Sequence, residues 1–188
     1  MARTLSATGY VRPRLTGTIV LQSDNGVQAT SGDPRNTTFS FDHDTLFRGF
    51  GSLIDLDDYV GFRLSISNVA IKNTATAPSS TGNSLVNVLL FPNNAPLVSG
   101  NSNGIARNAC LMARFTLSTT ASAWSMYYNT TASEYILPFL NGQTYVWQIA
   151  LTTGVLSTDV YNLTGGYQPT AYSLSVAIEL IPKEPTQG

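Results

Sequence analysis

Val60-Gly-Phe-Arg-Leu-Ser-Ile-Ser-Asn-Val-Ala-Ile-Lys72 is the stretch whose reading decides the fold. Phe62, Leu64 and Ile66 fall on one face of an extended chain, and Arg63, Ser65 and Ser67 on the other. Side chains of a strand repeat every two residues, so this is a strand with one buried face. The apolar positions resume at Val69 and Ile71, one step out of phase. A slip of one residue turns every later side chain to the opposite face. A β-bulge near Ser67-Asn68 restores the pattern, and one is expected there.

Working outward, seven further runs share this character: Gly17–Gln22, Thr37–Phe41, Leu85–Phe91, Cys110–Ser118, Trp124–Asn129, Thr144–Thr152 and Ala171–Ile181. Gly, Pro, Asn or Ser closes each of them. Leu85–Phe91 is almost continuously apolar, which suits a strand covered on both faces. Leu46, Phe47, Phe50, Leu53, Ile54 and Leu56 recur at three- and four-residue spacing, so residues 43–59 hold a helical turn or two. No longer amphipathic helix competes. The connections are unequal, with long ones at 74–84, 92–108 and 153–170. Unequal loops suit Greek-key crossings between two sheets. The expected fold is therefore all-β, an eight-stranded antiparallel jelly-roll β-sandwich. Its inner residues would include Leu64, Ile66, Leu89, Phe115, Ile149, Val176 and Ile178. The expected layout is an N-terminal arm at 1–15, the jelly-roll domain at 16–182 and a short tail at 183–188.

With 188 residues the chain is long enough to bury a full core as one domain. Its charge is sparse. Only 11% of residues are Asp, Glu, Lys or Arg, against roughly 25% in ordinary proteins. Ser, Thr and Asn supply 56 residues. Such a surface is polar yet nearly neutral, and copies of it repel each other little. A net charge of −1 gives no strong overall attraction to nucleic acid. The arm is the basic exception: Arg3, Arg12 and Arg14 precede the first acid, Asp24. Three cations give modest, salt-sensitive contact with nucleic acid or with an inner surface. One cysteine, Cys110, excludes an internal disulfide framework, and its apolar run suits a buried thiol. Met1–Arg14 has no apolar signal core, and no run approaches the ~18 apolar residues of a spanning helix.

Catalytic chemistry finds little support. His43 is the sole histidine and lies in Asp42-His43-Asp44, where adjacent extended side chains point in alternating directions rather than forming a triad. The simple reading is a solvated turn. Glycoside hydrolysis needs two carboxylates across a cleft. Glu134 and Glu179 are the glutamates outside the tail, and nothing in the sequence brings them together. Asp55, Asp57 and Asp58 offer hard oxygen ligands for Ca²⁺, but lack the Gly and final Glu of an EF-hand loop. No other cofactor is implied. Trp124, Tyr127, Tyr128, Tyr145 and Trp147 would serve either as core or as stacking surfaces for sugars or bases.

Phe39-Ser-Phe-Asp-His-Asp-Thr-Leu-Phe47, then Leu53-Ile-Asp-Leu-Asp-Asp-Tyr59, then Gly61-Phe-Arg-Leu-Ser-Ile-Ser-Asn-Val-Ala-Ile71 resembles the opening of the single jelly-roll capsid proteins of small icosahedral viruses. In that family a short strand leads through a partly helical loop to a small Asp/Tyr motif and a long strand. Asp57, Asp58 and Tyr59 hold the motif's place here. The resemblance covers about 35 residues. It implies a non-enzymatic virion protein that self-assembles into an icosahedral capsid. The implied partners are copies of itself, other capsid proteins and a host receptor or glycan. The arms of that family are often dense in Arg and Lys, whereas this arm has three arginines, so direct contact with nucleic acid would be weak or absent. A carbohydrate-binding jelly-roll module or viral attachment domain is the alternative.

Overall fold

The computed structural model describes residues 12–51, 54–72, 85–95, 97–99, 106–108, 111–116, 124–127, 131–132, 135–140, 142–153 and 170–184. Twelve strands occur among them. They are β1 (Leu15–Gln22), β2 (Val27–Thr30), β3 (Asp33–Phe41), β4 (Tyr59–Lys72), β5 (Leu85–Pro92), β6 (Leu97–Ser99), β7 (Ala106–Asn108), β8 (Leu111–Thr116), β9 (Trp124–Tyr127), β10 (Thr131–Ala132), β11 (Tyr145–Thr153) and β12 (Ala171–Pro182). The chain forms an all-β sandwich of two five-stranded antiparallel sheets. In the first, the order is β1-β12-β4, with β9 and β10 both along the far edge of β4. In the second it is β2-β3-β11-β5-β8. β6 and β7 make a separate two-stranded ribbon.

β12 shows why these residues make strands. Tyr172, Leu174, Val176, Ile178 and Leu180 are buried, and the residues between them are half-buried. Each such side chain taken out of water contributes ~1.5–3 kcal/mol, an upper bound because real unfolded chains are partly collapsed. β12 lies between β1 and β4, so its backbone groups are paired on both sides. Along β4, Ser175 faces Asn68 but Val176 faces Ile66, leaving Ser67 as the extra residue. This is the bulge that the phase change demands. Ser67 Oγ donates to Ser175 O at 3.3 Å across it. Phe62, Leu64 and Ile66 before the bulge, and Val69 and Ile71 after it, are all buried.

One core joins the two sheets. Leu64, Ile66, Val176 and Ile178 of the first sheet meet Val88, Leu90, Trp147 and Ile149 of the second. Leu89 corrects the expected inner set. It is buried, but with Ala150 and Phe91 in a smaller cluster apart from the inter-sheet core. Adjacent residues of a strand point to opposite faces, so Val88 and Leu90 inside put Leu89 outside. An unbroken apolar run carries no phase to reveal this. The side chain of Phe115 and residue Cys110 lie outside the described residues.

One other expectation changes. The stretch 92–108 is more than a connection, because it contains the β6–β7 pairing. The helical spacing over 43–59 is borne out by α1 (His43–Phe47) and by single 3₁₀ turns at Arg48–Phe50 and Leu56–Asp58. Asp42 caps α1, its carboxylate accepting from Thr45 N–H at 2.5 Å.

Candidate functional site

The segment between β3 and β4 is the most chemically varied part of the described chain. Asp42, Asp44 and Arg48 are exposed, while Leu46 and Phe47 are buried. Phe47 meets Phe62 edge-on at 5.3 Å between ring centres, which anchors α1 on the start of β4. Phe50 packs on β1 at Gly17, where a Cβ would lie 2.9 Å from its ring. Between these anchors is an open cavity of 330 Å³. Phe47, Phe50, Ile54 and Leu56 give it an apolar floor, and His43, Asp44 and Arg48 a polar rim.

His43 is not the solvated turn that its flanking acids suggest. Its ring is half-buried, 4.9 Å from that of Phe47. Tyr145 Oη accepts from Leu140 N–H at 2.8 Å and lies 3.4 Å from His43 Nδ1. Burial pushes the Tyr145 phenol up, so it keeps its proton to donate. This histidine is held by aromatic packing and a neutral phenol, with no nucleophile among those partners. Glu179 accepts from Arg14 at 3.3 Å and stands opposite Arg63 in the ladder. Glu134 lies outside the described residues.

The basic residues of the arm divide. Arg3 lies outside the described residues. Arg12 pairs with Asp58 at 2.8 Å and Arg14 with Glu179 at 3.3 Å. Between them, Tyr59 Oη donates to Pro13 O at 3.4 Å. Both cations face acids of the same chain across exposed pairs, each worth ~0–1 kcal/mol. The three aspartates also take separate tasks. Asp55 accepts from Asp57 N–H at 3.0 Å and so caps a 3₁₀ turn, while Asp58 carries Arg12. Among the described residues no three His, Cys, Asp or Glu side chains come close enough to share a metal ion.

The aromatic residues separate by burial, which alternation alone does not reveal. Trp147 and Tyr145 are fully enclosed, whereas Trp124 is 50% exposed and Met126 55%. Trp124 pairs with Lys72 and Met126 with Ala70. Val69 and Ile71 point inward, so Trp124 and Met126 stand on the outer face of the first sheet. The side chain of Tyr127 and residue Tyr128 lie outside the described residues. Other exposed apolar side chains are Val20, Val27, Val60, Tyr135 and Ile136. Sequence reasoning did not single out the cavity residues Arg48, Gly51 and Ile54 as a site. Their signal was the helical spacing of apolar residues from Leu46 to Leu56, interrupted by Gly49 and Gly51.

No family model matches the chain, and no curated protein matches it. Among solved structures it is similar to one of Desmodium yellow mottle tymovirus, with 10% identity over 100% of this chain and 99% of that one, at a TM-score of 0.29. It is also similar to a cryo-EM structure of the extra small virus (XSV) VLP of the giant freshwater prawn Macrobrachium rosenbergii. There the identity is 9% over 97% of this chain and 88% of that one, at a TM-score of 0.24.

Proposed function

We propose that this chain is a structural virion protein, a single jelly-roll subunit that self-assembles into an icosahedral capsid. The observation that carries the reading is the order of eight of the strands, those left when the short β2, β6, β7 and β10 are set aside. β1-β12-β4-β9 in one sheet and β3-β11-β5-β8 in the other are first-eighth-third-sixth and second-seventh-fourth-fifth in chain order. Two nested Greek keys produce that order, and it is the layout of the double-sheet jelly roll. Jelly rolls serve capsids, lectins and cupins. A cupin's metal chemistry has weak footing here, because the chain has a single histidine and that ring packs on Phe47. The surface favours self-association. The chain is 11% charged overall, and Trp124, Met126 and Val20 are half exposed. Charged residues are depleted and aromatic residues and Met enriched where proteins meet.

The arm, with Arg12 and Arg14 laid against Asp58 and Glu179, would run along the inner side of the shell. Exposed Trp124 also supports a second reading, a carbohydrate-binding or attachment module. Sedimentation and electron microscopy of the purified chain separate the two. Closed particles or stable rings are expected, with interfaces on the order of 2,000 Å². A strict monomer at high concentration that binds glycans would overturn the capsid reading in favour of the module.

A further inference from the structure

We infer that His43 is a proton-operated latch: the neutral imidazole holds the 137–140 segment to α1 through Tyr145, and the imidazolium releases it. The latch needs no second copy, so it is independent of the capsid reading. Hydrogen counting at Tyr145 carries the inference. That residue is fully enclosed. Its Oη accepts from Leu140 N–H at 2.8 Å, which leaves the hydroxyl's own hydrogen to donate. His43 Nδ1 lies 3.4 Å away. Only a ring nitrogen without a hydrogen accepts it, so neutral His43 carries its hydrogen on Nε2. On protonation Nδ1 gains a hydrogen as well. Two N–H groups then converge on one phenol oxygen, and the phenol's hydrogen loses its acceptor inside the protein. A buried donor left without a partner is costly. The bond is also longer than an ideal one, so it is given up readily.

The charged ring has other partners close by. On its own helix stand Asp42, Asp44 and Arg48, all exposed. Asp44 and Arg48 share the cavity rim with His43. From β11 the titratable neighbour is Tyr145 itself. From 137–140 the neighbour is Phe139, uncharged, at 6.3 Å between ring centres. Across the cavity Ile54 and Leu56 carry no charge, and Asp55 and Asp57 beside them are exposed and outside the lining. Two acids on the helix favour a cation on the rim side, and Arg48 offsets part of that pull. Each protonation state thus has its own partner, the phenol inward or the carboxylates outward. The latched segment matters to the surface. Leu137 exchanges two backbone bonds with Phe62 of β4, and next to it Tyr135 and Ile136 are 43% and 40% exposed. Histidine ordinarily changes charge between about pH 5 and 8. Release in that range changes the apolar surface shown at this end of the sandwich while exposed aspartates stay ionised.

The chain has a single histidine, so one imidazole signal reports the latch without ambiguity. Nitrogen-15 NMR of the parent at about pH 8 should find the ring hydrogen on Nε2. A hydrogen on Nδ1 instead would overturn the latch. Protection of the Leu140 amide against hydrogen exchange, corrected for the intrinsic rate, should fall roughly tenfold from about pH 8 to about pH 5, in step with the imidazole signal. Constant protection, or a fall out of step with the ring, would sink the proposal equally. In His43→Gln the side-chain carbonyl still accepts from the phenol and does not titrate. Leu140 should therefore stay protected at both pH values in that variant. A fall as large as the parent's would assign the effect to another group. Should His43→Gln not fold, the two measurements on the parent decide the matter by themselves.

Discussion

Gly61 shows how a single residue fixes the join between a strand and its neighbouring loop. A Cβ there would come within 2.3 Å of Leu137 O. That carbonyl accepts from Phe62 N–H at 2.9 Å, and Leu137 N–H returns a bond to Phe62 O at 2.7 Å. Gly61→Ala should break this bridge and cost about 1–3 kcal/mol, read from urea unfolding; an unchanged midpoint would mean that the loop moves aside freely. Asp42 acts at the same scale through charge. Its bond from Thr45 N–H holds the carboxyl below the usual carboxylate range. A lowered folded value contributes stability above the unfolded pKa, near ~3.9, and loses it as pH falls through the folded one. The gap in thermal midpoint between the parent and Asp42→Ala should thus be full at pH 7 and narrow below pH ~4. A gap that stays constant to pH 2 would rule out the carboxylate as the capping form.

Ser67 belongs to the scale of the element, because its effect is on everything after it in β4. Deleting Ser67 removes the bulge and turns Val69 and Ile71 out of the core, where they are 3% and 0% exposed. Exposing them should abolish cooperative unfolding, seen by calorimetry. Ser67→Ala keeps the extra residue and loses one side-chain hydrogen bond, so it should cost only ~1 kcal/mol. If the deletion were as mild as the substitution, register in β4 would not be fixed by the core. The bulge was legible in the sequence because Ile66 and Val69 stand three apart in a pattern of two. Leu89 was not legible, because in Leu85–Phe91 either phase is apolar. The β6–β7 ribbon was missed for a related reason: its strands are three residues each, too short for alternation to register.

The whole molecule presents a weakly charged sandwich with apolar side chains left on its outside. If copies bind one another, assembly stabilises the folded chain by mass action. The thermal midpoint should then rise with protein concentration. A midpoint independent of concentration over a hundredfold range would argue for a monomer. The sequence by itself determined the fold class, the positions of the principal strands and the bulge. Those properties follow from local periodicity and from residue types, which act over a few neighbouring positions. Only the tertiary structure decided that Trp147 is core and Trp124 is surface, though both lie in alternating runs. It alone paired Arg12 with Asp58, 46 positions on, and drew α1, Phe50 and Leu56 around one cavity. Burial and charge pairing depend on which strand lies beside which, and that order is set by crossings between the sheets that no local pattern records.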